Sequence, residues 1–249
     1  MKKLFVAGCS FSDYTGVDHV YGEFLATKLN YEYIHEGAGC GSNWRTWRTI
    51  TNHVLSGNLT SDDLLIIQYT AMTRNEFWTV LNQPIESIRN SDYSHAAQRK
   101  FIDFRSQNRN ITWVPLVDTG PDSGHIIRYK IGAEKWQNNK QECEFFEMYE
   151  KYFVNGHFCK EQFKIQHYMF QTMLIRNNIK TVFTNSYRQG CGLFMCLPEF
   201  TPYMFTDPLP YSDCMQYDLN SGDMGHLNLN GHEIYANWLY SHITSCDWS

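Results

Sequence analysis

Short apolar runs alternate along this chain with longer stretches in which apolar residues recur every three to four positions. That alternation is the pattern of βαβ units feeding a mainly parallel sheet. Leu4–Gly8 predicts a first strand, a helix follows around Tyr21–Leu29, and Tyr31–His35 predicts a second short strand. Trp44, Trp47, Ile50 and Val54 repeat at helical spacing and mark a buried stripe. Ser61-Asp62-Asp63 leads into a third strand, Leu64–Tyr69. Helical spacing returns near Glu144–Tyr152 and through Gln162–Arg176, and Lys180–Asn185 supplies another strand. A last helix from about Asn230-Gly231 is expected to bury Ile234, Trp238, Leu239 and Ile243. From about 77 to 156 the pattern blurs into polar, aromatic-rich sequence without a repeat, read as an insertion on the rim of the sheet. No Pro/Gly/Ser-rich linker or charge block divides the chain, so residues 1–249 are expected to form one domain of α/β class.

Charge and composition narrow the function classes. With 21 basic and 26 acidic residues the net charge is −5, which argues against an electrostatic grip on nucleic acid or on an anionic membrane. Runs such as Leu64-Leu-Ile-Ile67 are far too short to span a bilayer. Met1-Lys-Lys followed by Leu-Phe-Val-Ala-Gly is too brief for a signal peptide and is read as strand. The cysteines at 9, 40, 143, 159, 191, 196, 214 and 246 form no Cys-x-x-Cys pair, which favours thiols in a reducing, cytoplasmic setting, or a virion-associated protein were the source a virus. Ligand pairs at zinc spacing are missing, and His226 and His232 lie six apart, so no metal is expected.

Chemistry concentrates at the two ends. Gly8-Cys9-Ser10-Phe11-Ser12 comes directly after an apolar strand and before a helix, which places Ser10 at the carboxyl edge of the sheet, where open α/β folds put their sites. A serine there is either a nucleophile or a helix N-cap, and Ser12 shares the second reading. Asp223 stands three residues before His226 in a Gly-rich turn that precedes a helix, so the carboxylate can orient the imidazole within one loop. A serine hydroxyl needs such a base to be nucleophilic at neutral pH. Cys9 is a poorer candidate, because its side chain should point away from that of Ser10.

These segments resemble the SGNH or GDSL-type hydrolases, whose first motif is Gly-Asp-Ser-x-Ser and whose last is Asp-x-x-His. Here the first reads Gly8-Cys9-Ser10-Phe11-Ser12 and the last Asp223-Met224-Gly225-His226, followed by Leu227-Asn228 and Gly231-His232. The resemblance runs from end to end with a poorly matched middle. It implies a three-layer α/β/α sandwich around a mainly parallel, flavodoxin-like sheet, with Ser10 as nucleophile, His226 as general base and Asp223 as its orienting partner. It also implies an oxyanion hole made by a backbone N–H and an asparagine side chain. The glycine motif resembles Gly37-Ala-Gly39-Cys-Gly41-Ser-Asn43, offering Gly39 or Gly41. The third motif falls on Gln68-Tyr69-Thr70-Ala71, which lacks the asparagine and leaves the Thr70 hydroxyl, or Asn43 from the preceding loop, to substitute. Loss of one such donor typically costs about 10²–10³ in turnover.

Arg74 also follows the third strand and is suited to a substrate carboxylate or sugar hydroxyl, or to a structural ion pair. Trp44, Trp47, Trp78 and Trp113 offer faces for sugar rings or ordinary core material, with Trp78 the preferred substrate contact. Glu36 and Asp62-Asp63 read as turn and cap residues. The expected activity is therefore hydrolysis of small acyl esters, acetyl groups on carbohydrate above all, without metal or organic cofactor. The alternatives are a non-catalytic carbohydrate-binding or virion-associated module on the same fold, and an O-acyltransferase using the same residues.

Overall fold

The computed structural model describes residues 1–9, 12–14, 17–37, 42–70, 75–80, 111–118, 126–127, 156–185, 196–203 and 226–248. Four strands make an all-parallel sheet: β1 (Lys3–Gly8), β2 (Glu32–Gly37), β3 (Leu64–Tyr69) and β7 (Lys180–Asn185), in the order β2-β1-β3-β7. Between β1 and β2 runs helix α1 (Tyr21–Leu29), and between β2 and β3 runs α2 (Asn43–Leu55). Helix α3 (Gly156–Arg176) leads into β7, and α4 (Leu229–Ser245) closes the described chain after a 3₁₀ turn at Pro198–Tyr203. Because β1 connects to β2 on one side and is flanked by β3 on the other, the chain's direction of winding reverses at the β1/β3 seam. Open α/β sheets open a crevice at the carboxyl ends of such strands.

Alternation along the strands sorts the core into two layers. Leu4 and Val6 of β1, Leu64 and Ile66 of β3, and Val182 of β7 face α1 and α4, where they meet Tyr21, Leu25, Tyr235, Ala236, Leu239 and Ile243. Phe5, Ala7, Leu65, Ile67, Tyr69 and Phe183 face the other way, against Trp47 and Ile50 of α2 and Phe163, Phe170 and Leu174 of α3. Helices thus cover both faces of the sheet. β3 is buried along its whole length, as a strand between helix layers must be.

The second layer holds a polar chain within its aromatic packing. The Tyr69 hydroxyl bonds Nε2 of His167, whose ring stacks on Trp47 at 5.7 Å and 9°. Gln171 donates to the His167 carbonyl and accepts from the Leu197 N–H, which ties α3 to the segment before the 3₁₀ turn. Burial alone pushes His167 down to about 3, so the ring is neutral near pH 7.

The stretch expected as a rim insertion contains a separate antiparallel sheet, β4 (Asn75–Val80), β5 (Ile111–Asp118) and the two-residue β6 (Ile126–Ile127), in the order β4-β5-β6. The helix expected near 144–152 lies outside the described residues. Helix α3 begins at Gly156, six residues before the expected Gln162. On α4 the buried line runs through His232, Tyr235, Leu239 and Ile243, while Ile234 and Trp238 pack against its flank half-buried.

Two outcomes follow. Leu239→Ala, which empties the contact between α4 and the sheet, should lower unfolding free energy by about 3 kcal/mol in urea titration, and a change under 1 kcal/mol would contradict the packing. His167 binds its proton more weakly folded than unfolded, so its contribution to stability is complete above the unfolded value near 6.5 and is lost as pH falls toward about 3. His167→Gln should flatten the acid limb of the stability curve by up to about 1.4 kcal/mol per pH unit, and an unchanged slope between pH 6 and 4 would count against a neutral buried ring.

Candidate functional site

The carboxyl ends of β1 and β2 stop on paired glycines, Gly8 opposite Gly37. Both are needed because residue 12 passes directly over them. A Cβ on Gly8 would lie 2.6 Å from the Ser12 hydroxyl, and one on Gly37 would lie 2.5 Å from the Ser12 carbonyl oxygen. The Ser12 N–H returns to the Cys9 carbonyl at 2.9 Å, so the chain leaves β1 and comes back on itself within four residues. Ser10 and Phe11 fall between those anchors in sequence and lie outside the described residues.

Three segments hold this turn from the side of Ser12 to Tyr14. The Ser12 hydroxyl, wholly buried, donates to Oε1 of Gln68 on β3 and pairs with the Tyr21 hydroxyl at 3.0 Å. Burial, and after it the neighbouring Tyr235, pushes the Tyr21 phenol well above its ordinary range and keeps it a neutral donor. Asp13, its side chain also fully buried, accepts from the Tyr14 N–H at 2.9 Å and meets Nε2 of His35 at 3.0 Å. His35 completes an acid–imidazole–phenol chain through Nδ1 to the Tyr33 hydroxyl at 2.9 Å. The Tyr14 hydroxyl donates to Glu23 on α1 at 2.8 Å, and burial first and Glu23 second raise its pKa above the usual phenol range. The turn after β1 is therefore fastened to β3, β2 and α1 together.

The other end of the chain meets this region through α4. Asn228 caps that helix, its side chain accepting from the Gly231 N–H at 2.8 Å. His226 sits half-buried two residues earlier, and Leu227 between them is buried in the same cluster as Cys9. His232, within the His-Leu-Asn-x-x-Gly-His tail, is buried and accepts the first N–H of α1, from Tyr21, at Nδ1. Its role is to join the two terminal segments.

At the carboxyl end of β3, Asn43 at the start of α2 is committed to Thr70. Its Nδ2 donates to the Thr70 carbonyl at 2.9 Å and its Oδ1 accepts the Thr70 N–H at 3.0 Å, as a neighbouring strand would. The Thr70 hydroxyl is buried and has no hydrogen-bond partner. Ser42, not a glycine, caps α2, accepting from the Arg45 N–H. Of the other expected site residues, Gly39, Gly41, Arg74 and Asp223 lie outside the described residues, and Trp78 occupies β4 directly opposite Trp113 of β5.

Sequence reasoning missed Gln68, Asp13, His35 and Tyr21. Gln68 carried a signal: it is the lone amide in an otherwise apolar strand, Leu64-Leu-Ile-Ile-Gln-Tyr69. Among the described residues no three His, Cys, Asp or Glu side chains gather as metal ligands, no helix is long and apolar enough to cross a membrane, and Cys9, Cys196 and Cys246 form no disulfide.

Ser12→Ala strips Gln68 and Tyr21 of a buried partner, and by that loss should cost about 1–3 kcal/mol in denaturant unfolding; a neutral result would show that the hydroxyl does not hold the turn. No protein-family model, curated protein or solved structure gives a significant match to this chain.

Proposed function

We propose that the chain is a serine ester hydrolase acting on small acyl esters, with O-acetyl groups on carbohydrate as the substrate class. Ser10 attacks the ester carbonyl, His226 takes the serine proton and returns it to the leaving alcohol, and Asp223 holds the imidazole. Water activated by His226 then releases the acyl group. No metal or organic cofactor enters these steps.

One observation carries the reading. Cys9, next to Ser10 in sequence, and Leu227, next to His226, belong to a single buried cluster on one side of the sheet, which supports a shared centre for the two terminal motifs. A turn fixed by three elements at the end of β1 is what a nucleophile needs, since the reacting atom must be held before the substrate arrives. The Thr70 hydroxyl supplies the donor that the unmatched asparagine would have given, with Asn43 as its clamp. Gly39 or Gly41 contributes the backbone N–H, and Arg74 the contact to a polar substrate group. The aromatic residues of the stretch that carries Trp78 and Trp113 support carbohydrate as the alcohol, because flat rings suit a sugar ring.

Hydrolysis of p-nitrophenyl acetate tests the proposal. The wild-type protein should turn the ester over, and Ser10→Ala should lower kcat/KM by at least about 10³-fold. Equal rates in the two proteins would favour a glycan-binding module on the same fold, and acyl-acceptor-dependent product in place of acetate would mark a transferase.

A further inference from the structure

We infer that Gln68 is a second side-chain donor to the acyl oxygen, working beside Thr70; the inference rests on the esterase reading above. Gln68 is wholly buried in the seam between β1 and β3, at the carboxyl end where the winding reverses. Its Cβ passes within 3.1 Å of where a side chain on Gly8 would begin, so it lies against the tip of the strand that leads into Ser10. A carboxamide in that position is costly unless both ends are satisfied.

One end is satisfied. The hydroxyl chain has a direction, from Tyr21 O–H to Ser12 Oγ and from Ser12 O–H to Gln68 Oε1. That fixes the amide plane and leaves Nε2, which is buried and has no hydrogen-bond partner. Thr70, 3% exposed, repeats the arrangement two residues on: Asn43 occupies both of its backbone groups, and its hydroxyl alone is without a partner. Residues two apart in extended chain project to the same side. Each residue is thus immobilised by a dedicated buried clamp and keeps one polar group in reserve.

Native proteins rarely leave such groups unpaired in the interior. An amide nitrogen can only donate, so the atom that completes the pair is an acceptor, and an oxygen that gains negative charge fits both donors. Donors held rigid away from water act most strongly on charge that develops during reaction. A carbonyl oxygen becoming a tetrahedral oxyanion is that kind of charge, and a carboxylate product resembles it at equilibrium. The asparagine absent from the third motif is then replaced by two residues of β3 and its continuation.

The test uses the full chain and two readouts. Sodium acetate is titrated while the Gln68 side-chain amide is followed by ¹⁵N–¹H correlation spectra, with the resonance assigned through bonds. The amide pair should move downfield and saturate, and Thr70→Val should weaken acetate binding roughly tenfold. In p-nitrophenyl acetate hydrolysis, Gln68→Leu should lower kcat about 10²-fold while KM stays within about threefold. A Gln68 amide that does not respond to saturating acetate overturns the inference even where Ser10-dependent hydrolysis is strong, as does a folded Gln68→Leu protein with kcat within twofold of wild type. An amide that responds in a protein without Ser10-dependent hydrolysis supports the acyl-oxygen site and removes the serine mechanism instead. Where Gln68→Leu does not fold, the wild-type titration decides.

Discussion

One buried hydroxyl governs how the chain leaves its first strand. Ser12 can place its side chain only between Tyr21 and Gln68, because Gly8 beneath it leaves just enough room and Gly37 receives its carbonyl. Substituting either glycine would force the turn off the strand tips, and losing the hydroxyl would strand two polar groups in a water-free seam. The consequence reaches beyond residue 12, since Asp13 and Tyr14 are then delivered to His35 on β2 and Glu23 on α1. Ser12, Asp13 and Tyr14 are thus tied to β3, β2 and α1 in turn.

The same seam gathers the distant end of the chain. Helix α4 packs on α1, the His232 ring accepts the Tyr21 N–H, and Tyr235 reaches Thr184 on β7 at 2.7 Å. These are buried polar contacts spaced along an apolar interface, and they fix register in a way that Leu and Ile packing alone would not. His226 is carried on the segment that this helix anchors. Side chains from β3 complete the region, so the chemistry proposed for it draws on the first, third and last elements of the sheet domain at once.

Much of the sheet domain was legible because its information is local. Leu4–Gly8, Tyr21–Leu29, Leu64–Tyr69 and Lys180–Asn185 show their periods within a single window, and all four form where expected. What escaped was non-local or broke the period. In the stretch from about 77 to 156, where the pattern blurred, Asn75–Val80 and Ile111–Asp118 pair across an antiparallel ladder that no single window of sequence displays. Of the residues expected to be buried on α4, Leu239 and Ile243 are, whereas Ile234 and Trp238 are half-buried and His232, Tyr235 and Ala236 share the buried face. Hydropathy cannot report a polar residue buried by its partner. For that reason Asp13 and His35 were invisible and Gln68 showed only as a lone amide in an apolar strand, while the terminal motifs around Ser10 and His226 stood out as short strings.

The central claim is that the two terminal motifs meet as one reactive centre, and covalent labelling addresses it without knowledge of the substrate. Incubation with a fluorophosphonate followed by peptide mass spectrometry should place a single adduct on Ser10, formed far more slowly in His226→Ala. An unmodified Ser10, or labelling indifferent to residue 226, would contradict the account.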